Sequence, residues 1–259
     1  MRFDFRGVAA IGVAVASFCG AANAATFAEY EAVSNFGIPT QNIQWMNDGS
    51  GGTLSAVPPS FGASSNVRFS FLEGEAASYV VDVPALFTLV ASSSAAASVS
   101  ATGFVEQGGI NGGFAFTYQG ASPITFGGNT YTTGANLLSG DFTGARLYGV
   151  EGSPTAGVLD ASTFGSLVFN SDFVSLDNLN GVRGLAIEMT SVSPFLSVVG
   201  GQLQDFGATS TGSFQASLLT PGNQGVVPEP ATWAFMILGV AGSGLVLRRK
   251  RQQLQFAAL

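Results

Sequence analysis

The chain has 259 residues, 46% of them apolar and only 10% charged, with a net charge of −7. A soluble domain ordinarily carries about 25% charged residues, and the abundance of Gly (35) and Phe (22) suits strands and tight turns rather than long charged surface helices. There is no His and a single Cys, Cys19, which removes the commonest general base, the commonest transition-metal ligand and any intrachain disulfide. Between Ala25 and Val227 three Arg stand against fourteen Asp and Glu, with no Lys, for a net charge of −11. A body that acidic repels phosphate backbones, so nucleic acid is not an expected partner.

The first 24 residues, MRFDFRGVAAIGVAVASFCGAANA, have the layout of a secretory signal peptide. Arg2 and Arg6 make a positive start, Gly7 to Phe18 is an apolar stretch, and Ala22-Asn23-Ala24 is an A-x-A site with cleavage expected before Ala25. Phe18 sits where a lipoprotein signal needs a small residue before Cys19, which argues against lipidation there. The expected partners at this end are the secretory translocon and signal peptidase, acting at Ala22, Ala24 and Ala25.

Residues 25–219 are read as one extracytoplasmic all-β domain, an antiparallel β-sandwich with a jelly-roll-like or barrel-like arrangement as the alternative. NVRFSFLEG places Val67, Phe69 and Phe71 on one face, and GGFAFTYQG does the same for Phe114, Phe116 and Tyr118. In ITFGGNTYTTG, Gly127-Gly128 between two β-rich runs is a hairpin signal. GSLVFNSDFVSLD and VRGLAIEMTSV continue the pattern. Val83–Gly103 mixes Ala and Ser with β-branched residues and is read as strand or loop rather than helix. Turns are expected at Asn47–Gly52, Glu73–Glu75, Gln107–Gly113 and Glu151–Pro154. The alternating Phe residues are expected to fill a core, and no internal repeat stands out.

Chemistry is sparse in this domain. Without His or Lys, no Ser or Thr has its usual base, and neither a G-x-S-x-G elbow nor a Walker loop is present. Paired carboxylates survive as a catalytic option: Glu73 with Glu75, and Asp172 with Asp177, against the plainer reading of solvated turn acids. Asn47-Asp48-Gly49 and Asp172, Asp177 and Asn178 offer hard oxygen ligands for a structural calcium, but no D-x-D-x-D-G loop exists and turns favour these residues anyway. Trp45 with Tyr30 is either a sugar-stacking platform or core. No cofactor is expected.

Residues 220–227 read as a flexible spacer. Beyond it, Ala231 to Leu247 is free of charge over 17 residues and is expected to form a transmembrane helix (231–247). Arg248, Arg249, Lys250 and Arg251 form a block that stays cytoplasmic, leaving the domain on the far side of the membrane and 252–259 as a cytoplasmic tail. Pro228-Glu229-Pro230 holds the chain extended just outside that helix.

These residues carry a resemblance. Pro228, Glu229 and Pro230, then Trp233 and Ala234, an apolar run with Gly and a terminal basic cluster resemble the PEP-CTERM sorting domain in its PEPxxWA form, over residues 228–251. The resemblance implies an exosortase as partner, cleavage near the triplet, and a path through an inner-membrane-tethered intermediate to the cell surface or extracellular matrix. It also implies a setting of Gram-negative bacteria that make exopolysaccharide and biofilm. The expectation is therefore an exported, non-enzymatic surface or matrix protein, with exopolysaccharide as a candidate partner. The alternative is a secreted carbohydrate-binding or glycan-hydrolysing domain delivered by the same route.

Overall fold

The structure, a computed structural model, describes residues 25–33, 41–57, 64–154, 157–161, 166–176 and 183–216. The expected signal peptide, the spacer, the sorting segment with its transmembrane helix, and the tail lie outside these residues. The described residues begin with β1 (Ala25–Ala32), β2 (Ile43–Asn47), β3 (Gly52–Ala56) and β4 (Ser64–Phe71). A 3-10 turn at Glu75–Ser78 leads into β5 (Val83–Ser93), β6 (Ala97–Val99) and the long β7 (Phe104–Tyr118). A small hairpin, β8 (Ile124–Phe126) and β9 (Asn129–Tyr131), returns the chain into the equally long β10 (Asn136–Val150). There follow β11 (Gly157–Asp160), β12 (Leu167–Asn170), β13 (Gly184–Ser193), β14 (Val198–Val199), β15 (Gln202–Leu203) and β16 (Phe206–Ala216).

The main sheet closes on itself. Its pairings run β5–β7–β10–β11–β13–β16–β1–β4 and back to β5, all antiparallel. Short strands complete the lanes that one strand fills only in part. The edge of β16 pairs β1 along 211–216 and β2 along 206–208. Likewise β5 pairs β4 along 83–88 and β3 along 90–93, while β10 pairs β12 along 139–142 and β11 along 146–149. The ladder is therefore an eight-lane barrel rather than two separate sheets, which selects the barrel-like arrangement over the open sandwich. Closure leaves few unpaired edges along the wall, the hazard that all-β domains must manage.

Phenylalanine fills the interior. Of the fourteen Phe among the described residues, twelve are buried, and only Phe104 and Phe195 are exposed. Rings from neighbouring and facing lanes meet in the lumen. Phe116 of β7 stacks on Phe87 at 4.9 Å and lies 4.8 Å from Tyr30, 5.1 Å from Phe69 and 5.5 Å from Phe214. Phe214 in turn meets Phe114 and Phe169 at 5.2 and 6.1 Å, and Phe169 meets Phe27 at 5.5 Å. One end of the barrel is closed by Phe71, Phe126, Tyr131 and Phe173. The other is closed by buried Trp45, Leu196 and Leu203, with the Trp45 indole N–H donating to the Leu203 carbonyl at 3.2 Å.

The glycines have a use beyond turns. Tyr30 lies directly opposite Gly212, and Phe114 directly opposite Gly140. A Cβ at Gly212 would overlap Cε1 of Tyr30, and one at Gly140 would sit 2.6 Å from the Val168 carbonyl and 2.9 Å from the Phe114 ring. A glycine thus makes the space into which the facing aromatic leans.

Most strand expectations hold. Val67, Phe69 and Phe71 point inward while Arg68 is exposed, and Val83–Gly103 forms β5 and β6. Gly127 and Gly128 turn the β8–β9 hairpin with φ of 57° and 79°. One expectation fails: Gln107–Gly113 is not a turn but the middle of β7. Its glycines serve a bulge instead. Gly109 (φ 65°) and Gly144 (φ 70°) mark the irregular register between β7 and β10, and the Asn111 side-chain Oδ1 accepts the Gly144 N–H at 2.8 Å. Strands of 15 residues, far above the usual five or six, need such bulges to coil around a closed barrel.

Two substitutions test this packing by thermal unfolding. Phe116→Ala removes the ring at the centre of the lumen and is expected to cost about 3–5 kcal/mol, lowering Tm by roughly 10 °C in a domain of this size. Gly140→Ala adds a single methyl and is expected to cost about 1–3 kcal/mol through overlap. Val90→Ala, on the outer face and 55% exposed, serves as a control with a change within about 0.5 kcal/mol.

Candidate functional site

The candidate residues of the domain do not converge. Glu75 opens the 3-10 turn, with Gly74 before it at φ 78°, and Glu73 lies just upstream. Glu75 is exposed and Glu73 half-buried. Asp172 is committed to the backbone: its Oδ2 accepts the Asn136 N–H at 2.7 Å, and its own N–H donates to the Asn136 carbonyl at 2.9 Å. This exchange fastens the start of β10 to the segment after β12. Asp177 and Asn178 lie outside the described residues, so their part in a pair or a calcium site has no geometry here.

The Asn47–Gly52 turn holds its oxygens on its own backbone. The Asn47 side-chain oxygen accepts the Gly49 N–H at 2.6 Å, and Asp48 Oδ1 accepts the Ser50 N–H at 2.8 Å and its hydroxyl at 3.0 Å. These are the local bonds that draw Asn and Asp to turns. The turn is tied to the opposite strand junction, because Asp205 Oδ1 accepts the Asn47 N–H and Asn47 Nδ2 donates to the Leu203 carbonyl. The Ser50 N–H, and then its hydroxyl, hold the Asp48 carboxyl below its ordinary range. Among the described residues no three His, Cys, Asp or Glu side chains gather in a metal-sized group.

Trp45 and Tyr30 are core. Trp45 is 1% exposed and its indole covers Gly52. Tyr30 is 3% exposed and its hydroxyl shares a 2.9 Å hydrogen bond with Ser210 Oγ. Burial pushes its phenol well above the usual range, with the Ser210 bond opposing. A shallow depression of about 260 Å³ lies outside Trp45, between Gln41, Gln44, Met46, Pro194 and Gly207. Its carboxylate, Asp205, is the one already bonded to Asn47.

The outer wall holds a group that the sequence reading passed over. Glu106 and Tyr148 are directly opposed between β7 and β10, as are Phe104 and Val150. Across these rows the Phe104 and Tyr148 rings lie at 5.9 Å with planes 28° apart, and Arg146 Nη1 donates to Glu106 Oε1 at 2.7 Å. Asp160, buried, is paired across from Arg146. Partial burial, and then the Asp160 charge, raise the Tyr148 phenol. The signal was present in FVEQ and ARLYGV as outward positions of alternating strands, but alternation alone does not say which phase points out.

The described body is thus an antiparallel all-β barrel, and the feature that defines its class lies C-terminal to it. Residues 226–251 match the family model of the PEP-CTERM protein-sorting motif. The matched span contains Pro228, Glu229, Pro230, Trp233, Ala234 and the Arg248–Arg251 block. The chain is an exported protein sorted by an exosortase, passing through a membrane-anchored intermediate. No curated protein and no solved structure matches the chain significantly. No helix among the described residues is long and apolar enough to cross a membrane, and the expected span 231–247 lies outside them.

Asp48 gives a pH prediction. A carboxyl whose folded pKa is lowered contributes stability that is present above its unfolded pKa and lost as pH falls through the folded value. Asp48→Asn is therefore expected to lower Tm relative to the parent at pH 7. The gap is expected to close as the pH is taken below the carboxylate range, read from paired melts at pH 7 and in strong acid.

Proposed function

We propose that this chain is a non-enzymatic protein of the cell surface or extracellular matrix, delivered by exosortase sorting and associated with the exopolysaccharide of a biofilm. The observation that carries the reading is the sorting motif at residues 226–251. The domain supports it in two ways. Its lumen is filled by aromatic rings rather than shaped as a cleft. Of its described candidate acids, Asp48 and Asp172 accept backbone N–H groups and Glu75 faces solvent.

In this reading the barrel is a durable cargo whose outer wall meets the matrix, and it needs no cofactor. Pro228, Glu229, Pro230, Trp233 and Ala234 present the processing site. Ala231–Leu247 holds the chain in the inner membrane, with Arg248–Arg251 on the cytoplasmic side. Signal peptidase acts earlier, between Ala24 and Ala25. The host is a Gram-negative cell.

Fractionation of cells that express the full chain tests the proposal. The parent chain is expected in the surface or matrix fraction, shortened at its C-terminus. With Pro228→Ala and Pro230→Ala together, full-length chain is expected to accumulate in the inner membrane. Equal surface delivery of both chains, or reducing sugar released from the matrix by the purified parent, would refute the reading.

A further inference from the structure

We propose that the outer wall of β7 and β10 carries a binding site for a neutral glycan, with Phe104 and Tyr148 as the stacking surface and Glu106, held by Arg146, as the hydroxyl acceptor. The inference rests on the surface-protein reading above and gives it a place on the molecule. Phe104 is one of only two exposed Phe among the fourteen described, 43% exposed, and it stands on the barrel wall in β7. It lies 5.9 Å from the half-buried Tyr148 ring with the planes 28° apart, so the two form one aromatic patch on the wall. An aromatic face is electron-rich and attracts polarised C–H groups, and the flat side of a pyranose offers a row of them.

The polar half of the site is built into the same rows. Glu106 is directly opposite Tyr148, and the 2.7 Å ion pair with Arg146 fixes its carboxylate beside the rings. That pair uses one oxygen, Oε1, while a carboxylate has about four acceptor positions. Both side chains remain partly open, at 40% for Arg146 and 34% for Glu106. A sugar stacked on the rings therefore has a hydroxyl acceptor within reach at its edge. Tyr148, with its phenol raised by burial and by Asp160, keeps its proton as a second polar contact.

Charge and shape select the ligand class. The segment from Ala25 to Val227 carries −11, and Arg146 is already paired, so a uronic-acid polymer is repelled. A gluco-configured pyranose with equatorial substituents leaves both ring faces as flat C–H surfaces. A neutral β-linked glucan fits these demands. A protein partner fits less well, because a stable interface buries about 800 Å² per side and here charged side chains alternate with the two rings.

Calorimetric titration of the purified full chain with cellohexaose and laminarihexaose, and with an alginate hexamer as the anionic comparison, tests the site. Saturable binding to a neutral hexasaccharide and none to alginate are expected. Phe104→Ala and Tyr148→Ala are each expected to weaken binding about ten-fold or more. Tyr148→Phe retains most of it, and Tyr79→Ala, an exposed ring stacked on buried Phe126 away from this patch, leaves it unchanged. Circular dichroism melts check that each variant stays folded. Absence of binding to both neutral sugars, equal loss in Tyr79→Ala, or preference for alginate would overturn the proposal. So would a concentration-dependent dimer abolished by Phe104→Ala, since it would make the patch an interface between copies. A chain that reaches the matrix but binds neither sugar defeats this inference alone, whereas failure of sorting is read separately by fractionation.

Discussion

Closure of one antiparallel ladder around a column of aromatic rings is the constraint on which the other features depend. A closed ring of lanes has a fixed lumen, so the inward residues must fill it without voids. Tyr30, Phe87, Phe114, Phe116 and Phe214 do this from four lanes, meeting at centroid distances of about 5 to 6 Å. The rings are large, and Gly212 and Gly140 relieve the crowding where two lanes would otherwise collide. Phenylalanine and glycine are thus two halves of one packing solution. Substitution at either is felt across the lumen, because each ring touches several lanes at once.

The wall is decoupled from that interior. Inward positions set stability, while outward positions mix small and polar residues with exposed apolar ones such as Val81, Val90, Phe104 and Val168. Few cations are available to it, and the structure uses them locally. Arg68 lies 3.7 Å from Asp82, Arg146 pairs with Glu106, and Arg183 donates to the Leu167 carbonyl. The remaining acids give the domain a negative field. The tether and the sorting signal are confined to the C-terminal segment, so cargo and address are separate parts of one chain.

Much of this was legible beforehand, and the exceptions are informative. Val67, Phe69 and Phe71 announced their strand because period-two alternation is a local property of the chain. Gly127-Gly128 announced its hairpin because left-handed backbone is cheap only there. Gln107–Gly113 misled, since a run of Gly in a strand looks like a turn until its neighbours are known. What made it a strand was pairing with β5 and β10 on either side. Trp45 was ambiguous between platform and core for a similar reason: its burial depends on Leu203, 158 residues away.

The sequence by itself determined the all-β class, the acidic and His-free chemistry, and the address at residues 226–251, because composition, alternation and a contiguous motif are all short-range. The tertiary structure decided three further things. The sheet is closed rather than split in two, Asp172 is bound to Asn136 rather than offered to a ligand, and Phe104 and Tyr148 stand outside beside Glu106 and Arg146. Each depends on which strand lies next to which and in what register. Register joins residues tens of positions apart, and shifting it by one residue exchanges the inside and the outside of a strand.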